Sequence, residues 1–196
     1  MKIHKDLKKA ITWLCSDKNK ILDYGCGNGV LLIEALKENE NARGFGIDIS
    51  ENAIFLAEKN VKENNLSDRA NFRCGSVEIL KTIKDNRYEA VILANILDSM
   101  TIMDSYILLD HLKKIVKDEG KIFVKVRPYK NKEELKSLGA VMLNDELFEM
   151  EEDNLLRNLT TEKWIDILKD YFEIKEEIDV SKDHDRIFLM VNKKTK

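Results

Sequence analysis

At 196 residues the chain is long enough to bury a core without disulfides or a metal, and one domain spanning 1–196 is the simplest division of it. Hydrophobic residues at 43% beside charged residues at 35% exclude a disordered or fibrous chain, and a net charge of -3 supplies no general basic field, which disfavours nucleic acid as a partner. Cys15, Cys26 and Cys74 are odd in number and lack zinc or disulfide spacing, no apolar run reaches the roughly 20 residues of a membrane span, and no signal core follows the first residues. Reduced thiols, a cytoplasmic location, no membrane association and no metal are therefore expected, with the oligomeric state left open.

Leu7, Ala10, Ile11 and Leu14 recur at helical spacing, so a helix is expected over about Lys5 to Cys15. Lys20 to Tyr24 reads as a strand running into Gly25-Cys26-Gly27-Asn28-Gly29, after which Val30 to Glu38 resumes a helix. The alternation continues with a strand at Gly44 to Asp48, a helix from Asn52 to Asn64, a strand at Ala70 to Cys74, a short helix from Val77 to Ile83 and a strand at Tyr88 to Ala94. Leu108, Leu112 and Ile115 mark one face of a further helix, Glu119-Gly120 a turn, and Lys121 to Val126 a fifth strand stopped by Pro128. Five strands interleaved with helices predict an α/β fold with a doubly wound parallel sheet. After the helix Thr161 to Asp170, Phe172 to Val180 alternates as an edge strand would, whereas the apolar run within Arg186 to Asn192 demands cover on both faces. The last strand should therefore insert, antiparallel, inside the penultimate one, completing seven strands with helices on both faces. Trp13 and Trp164 fall at apolar helical positions and are expected in the core.

Three glycines at alternate positions let the backbone turn sharply and approach a ligand, and the amides opening the next helix favour negative groups. The G-x-G-x-G spacing is one residue shorter than a dinucleotide fingerprint, which argues against a nicotinamide enzyme. Asp48, at the end of the next strand, is placed to accept from both hydroxyls of a ribose, with Ser50 the better candidate to cap the following helix.

Through Asp23-Tyr24-Gly25-Cys26-Gly27-Asn28-Gly29, Gly46-Ile47-Asp48-Ile49-Ser50 and the strand order, the sequence resembles the class I, Rossmann-like S-adenosylmethionine-dependent methyltransferases over nearly its whole length. The resemblance implies S-adenosylmethionine as cofactor, bound by the segment from Asp23 through the glycines, by Asp48 at the ribose, Ile49 on the adenine and Gly75, Ser76 and Val77 at the adenine edge. Ser76 departs from the acidic residue many members carry there; its hydroxyl can also accept from the exocyclic amine.

Methyl transfer demands mainly alignment and exclusion of water, so no obligatory nucleophile is expected. Asn95, leaving the fourth strand, is a candidate for contact with cofactor or acceptor, or else a turn residue; Arg127, Tyr129 and His184 gather at the same sheet edge as candidates to line an acceptor pocket, and Asn95, Tyr129 and His184 are the catalytic candidates. The Asn-Pro-Pro-Tyr type of motif of base methyltransferases is absent. Asn95-Ile96-Leu97 is similar to a stretch of the methyltransferases that modify a ribosomal protein, whose large recognition domain has no counterpart in these residues. The segment 130–159, with Glu146, Glu149, Glu151, Glu152 and Asp153, is a candidate acidic lid. The reading is a methyltransferase for an unidentified small molecule; a protein methyltransferase and a non-catalytic cofactor-binding protein are the alternatives.

Overall fold

A computed structural model describes residues 3–144, 146–151, 154–180 and 185–194. Its elements in chain order are α1 (Lys5–Cys15), β1 (Lys20–Tyr24), α2 (Val30–Glu38), β2 (Arg43–Asp48), α3 (Glu51–Glu63), β3 (Ala70–Cys74), α4 (Val77–Leu80), β4 (Tyr88–Ala94), α5 (Ile102–Ile115), β5 (Val116–Val126), α6 (Lys132–Ser137), β6 (Val141–Asn144), β7 (Leu147–Glu149), β8 (Leu155–Arg157), α7 (Thr161–Lys169), β9 (Glu173–Asp179) and β10 (Arg186–Asn192). A short 3-10 turn, Leu97–Ser99, joins β4 to α5.

Seven strands form one sheet in the order β3-β2-β1-β4-β5-β10-β9, parallel except for β10, which runs antiparallel to both neighbours. Alternation along the central strands divides the core between two faces. Leu22, Val91, Leu93, Ile122, Val124, Phe188 and Met190 point toward α5 and α7, where Leu109, Leu112, Trp164 and Leu168 meet them. Ile21, Ala90, Ile92, Phe123, Ile187 and Leu189 point toward α1 and α2, against Ile11, Leu14, Leu32 and Leu36. Sealed on both faces and both edges, β10 carries the continuous apolar run that its position demands.

Four details differ from the pattern read along the chain. In β9 the partner of Leu189 is Glu176 and that of Met190 is Ile174, so Lys175 is bulged out; Ile174 packs on one face of the sheet and Ile178 on the other, although their spacing would put them together. The fifth strand begins at Val116, paired with Tyr88, then loops through Glu119 at φ 59 before resuming at Lys121 opposite Ala90. The buried Asn192 side chain holds that loop by donating to the carbonyls of Val116 (2.9 Å), Lys113 (3.2 Å) and Lys117 (3.3 Å). Trp164 is in the core as expected, whereas Trp13 is half-buried and carries the Lys121 ammonium 5.1 Å from its ring centroid. The helix after β3 ends at Leu80, three residues early.

The described residues of 130–159 are regular and not irregular: they build α6 and a separate antiparallel sheet, β6-β7-β8, with a small core of Leu135, Phe148 and Leu156. Among the described residues no helix is long and apolar enough to cross a membrane.

Phe188, fully buried on the strand between β5 and β9, is a direct probe of this arrangement. Phe188→Ala is expected to cost about 3–5 kcal/mol of unfolding free energy, read as a lower urea midpoint with an unchanged slope.

Candidate functional site

The glycine loop is built by its contacts with β2. The N–H groups of Gly25 and Cys26 both donate to the Ile47 carbonyl, at 2.7 and 2.9 Å. That of Gly27 donates to Asp48 Oδ2 at 2.8 Å, while Asp48 Oδ1 accepts from the Ser50 N–H at 3.0 Å. Ser50 caps α3, its Oγ accepting from the Ala53 N–H at 3.2 Å. Gly25 sits at φ +75, and a Cβ there would come within 1.9 Å of Ile96 Cδ1, so only glycine lets the segment after β4 close against the loop. Gly29 opens α2 in the left-handed region at φ 78 with no side-chain cap.

Beside this loop, at the carboxyl ends of the strands, lies a pocket of about 330 Å³. Tyr24 and Gly25 line it from β1, Asp48 and Ile49 from β2, and Gly75, Ser76 and Val77 from the segment after β3. Ile96, Ser99 and Met100 close it after β4, and Asp104, Ile107 and Leu108 form a helical face of α5 along its far side. Ile49 leaves 78% of its surface exposed, an apolar side chain standing at the rim.

Six of the residues expected to hold the cofactor thus share one pocket: Gly25, Asp48, Ile49, Gly75, Ser76 and Val77. The others lie around it. Asp23 is only 1% exposed and sits beneath the loop, where the Leu32 backbone N–H supports its carboxylate; burial, reinforced by the charge of Asp48, pushes its carboxyl up to about 8. Cys26 is buried against the loop, which raises its thiol pKa, and Asn28 is exposed with its carbonyl accepting from Asn60 Nδ2 at 2.9 Å. Gly27 and Gly29 shape the backbone outside the lining.

The acceptor-side candidates separate more widely. Asn95 is a turn residue at φ 57 whose Oδ1 accepts from Lys125 Nζ at 2.9 Å, and neither it nor Asp98 caps α5; that role belongs to Thr101, which accepts from the Asp104 N–H at 3.2 Å. Asp98 is fully buried and receives the Arg127 Nε at 2.6 Å and backbone N–H at 3.0 Å, so Arg127 is a brace and not a pocket wall of this site. Tyr129 lines a different cavity of about 210 Å³, beside Lys130, Lys132 and Asn158. His184 falls outside the described residues; its neighbour Asp185 pairs with Lys125 at 2.5 Å, at the same end of β5 as Asn95. Glu152 and Asp153 of the acidic segment also fall outside, and Glu146 is ion-paired with Lys163.

A model of the methyltransferase domain family matches residues 16–176. The chain belongs to that family. This methyltransferase domain is S-adenosylmethionine-dependent, and S-adenosylmethionine is its cofactor. Curated relatives include the ribosomal protein L11 methyltransferases of Glaesserella parasuis serovar 5, 35% identical over 98 residues, and of Lachnospira eligens, 34% identical over 102 residues. The matches take in 48% and 50% of this chain but 31% of each relative, so the likeness spans about a third of those proteins. Among solved structures, the 1,6-didemethyltoxoflavin-N1-methyltransferase of Burkholderia thailandensis, crystallised with S-adenosylhomocysteine, superposes with a TM-score of 0.75 at 14% identity over 97% of this chain and 79% of that one. A Pyrococcus horikoshii OT3 protein gives 0.74 at 20% identity over 94% and 87%, and the [4+2]-cyclase SpnF gives 0.76 at 16% identity over 97% and 82%. These three share the fold; SpnF carries a different reaction on it.

Sequence reasoning missed the α5 wall, Arg157, and the bracing role of Arg127 at the segment before α5. Arg127 Nη2 donates to the Leu155 carbonyl of β8 at 2.8 Å, and Arg157, buried in β8 with its pKa lowered by burial, donates to the Met100 carbonyl at 2.8 Å. The small sheet is thereby fastened to the residues that close the methyltransferase pocket. The one legible signal was Thr101-x-x-Asp104, a helix-opening pattern that marks the first turn of α5.

Asp23 makes the domain pH-sensitive. Because its folded pKa of about 8 lies above the ordinary 3.8, the stability it contributes is complete below about pH 4 and is lost as pH rises through 8. Chemical unfolding of Asp23→Asn between pH 5 and 8.5 should therefore show a flatter decline than the wild type. Parallel pH profiles would mean that Asp23 does not take up its proton on folding.

Proposed function

We propose that the domain transfers a methyl group from S-adenosylmethionine to a small-molecule acceptor, with the cofactor's ribose held by Asp48. The observation that carries this reading is the position of the Asp48 carboxylate, which receives the Gly27 and Ser50 amides on one side and lines the pocket on the other. Such a carboxylate is oriented before any ligand arrives, so a diol meeting it loses little ordering entropy. Ile49, Val77, Ile107 and Leu108 supply apolar walls that suit a flat ring, and Ile96, seated against Gly25, adds a further apolar side chain beside them.

In this reading Gly25, Asp48, Ile49, Gly75, Ser76 and Val77 touch the cofactor. Asp23, Cys26, Gly27, Asn28 and Gly29 shape the loop, and Asn95 borders the methionine end. The cofactor supplies an electrophilic methyl group on a sulfonium. The chain aligns that group and keeps water from it, and where the acceptor carries a proton, a base at the site would add roughly 10²-fold or more. Tyr129 and His184 remain the candidates for that base, and residues 130–159 the cover over the acceptor, within one cytoplasmic domain.

Likeness to the ribosomal protein methyltransferases favours a protein acceptor as the second reading. Supplying labelled cofactor and fractionating a host lysate separates the two: label in extractable metabolites supports the first, label in protein the second, and label in neither supports a binding protein without turnover.

Titration calorimetry tests the site itself. Asp48→Ala should weaken S-adenosylmethionine binding by at least about 1.5 kcal/mol, the scale of a charge-assisted hydrogen bond. Tighter binding of NADH than of S-adenosylmethionine by the wild type would overturn the assignment. For the acidic segment, Glu149→Gln with Glu151→Gln is expected to raise the KM for a cationic acceptor while leaving cofactor affinity unchanged.

A further inference from the structure

The pocket holds two carboxylates. Asp48 has both oxygens engaged by backbone amides at the loop end. Asp104 stands on the first turn of α5, across the same pocket, and its circumstances are different. Its Oδ2 accepts from Thr101 Oγ1 at 2.6 Å, while Oδ1 has no protein partner among the described residues. The Thr101 Oγ1 hydrogen bond, with the capping bond from the Asp104 N–H back to the same oxygen, fixes the rotamer of this side chain on a helix and not on a loop.

What Asp104 faces is set by its neighbours. Ile107 and Leu108, one turn further along α5, line the pocket with it, and Ser76 and Val77 approach from the segment after β3. These apolar side chains make a slot for a planar ring. Within the slot the polar choices at the ring edge are few. The Ser76 hydroxyl both donates and accepts, so it cannot distinguish an amino from an oxo substituent; an ionised carboxylate only accepts, so it can.

From this geometry we infer that Asp104 reads the exocyclic amine of the cofactor's adenine, taking on from α5 the acidic role that Ser76 does not supply after β3. The inference rests on the cofactor site proposed above and adds to it the residue that selects a 6-amino over a 6-oxo purine. A carboxylate aimed at the 6-position attracts the amine and repels a carbonyl oxygen, so selectivity comes from both sides of the comparison.

The test is binding of two product analogues, S-adenosyl-L-homocysteine and S-inosyl-L-homocysteine, by calorimetry to the wild type, Asp104→Asn and Ser76→Ala. Asp104→Asn keeps the backbone cap and an oxygen for the Thr101 hydroxyl, so the fold of α5 is retained; a matching thermal unfolding curve checks this. The wild type should prefer the adenosyl compound by at least about tenfold, the scale of one hydrogen bond to a charged group. Asp104→Asn should bring the two compounds to within about threefold, with the inosyl compound gaining absolute affinity because the amide can donate to its oxygen. Ser76→Ala should preserve the preference. A preference that survives in Asp104→Asn overturns the inference, as does one that disappears in Ser76→Ala instead. If the wild type binds neither compound, the cofactor site and the inference fall together. If it binds both with the preference intact in Asp104→Asn, only the inference fails. An Asp104 that contacts the acceptor would alter acceptor KM and leave the ratio of these two analogues unmoved, which also overturns it.

Discussion

The carboxylate of Asp48 is the constraint on which the site depends. One of its oxygens receives the Gly27 amide and the other the Ser50 amide, so a single side chain joins the glycine loop, the end of β2 and the start of α3. Backbone N–H groups that open a helix or a tight loop must find acceptors, and a carboxylate placed between two such segments satisfies both at once. The Ile47 carbonyl, one residue earlier, takes two further amides of the loop. Four loop and cap amides are thus ordered by two adjacent residues of one strand, and the pocket edge they define is fixed by hydrogen bonding and not by ligand.

Behind this edge lies a cost. Asp23 is sealed under the loop with one oxygen lacking a partner, and its neighbour Asp48 carries like charge. A buried carboxyl in that position holds its proton to higher pH than usual, which spares the fold two adjacent charges in a low-dielectric layer. Binding geometry and stability are therefore coupled through a pair of carboxyls of which one is exposed to the pocket and the other is not.

The pocket wall that follows β4 is held by arginines. Arg127 spans the buried Asp98, the Ser99 hydroxyl and the Leu155 carbonyl, and Arg157 reaches the Met100 carbonyl. Planar guanidinium groups with several donors suit this work, since each can satisfy carbonyls and a carboxylate in different directions. Through them the small sheet β6-β7-β8, inserted between β5 and α7, is fastened to Ser99 and Met100 in the pocket wall. The same insertion carries the residues first expected to form an acidic lid, yet Glu146 is neutralised by Lys163, so the acidity available to a ligand is smaller than composition suggests.

Much of the architecture was legible along the chain because it rests on local periodicity. The alternation of β1 to β5 with helices, the G-x-G-x-G turn, Asp48 at a strand end and the apolar run of β10 each declare themselves within a few residues, and sheet order follows once β10 must be covered on both faces. Local signals could not reveal the bulge at Lys175, which moves Ile174 and Ile178 to opposite faces, because a bulge is set by pairing with another strand. Nor could they separate the loop residues that line the pocket from those that lie beneath it, since Asp23 and Asp48 look alike in sequence and differ only in which side of the loop they occupy. Asn95, Arg127 and Tyr129 leave strands at the right edge, and the sequence alone determined that much; their partners Lys125 and Asp98, and the second cavity beside Tyr129, come from segments brought together only by the tertiary fold. Chain order determines which end of the sheet a residue reaches, whereas long-range packing decides what that residue touches there.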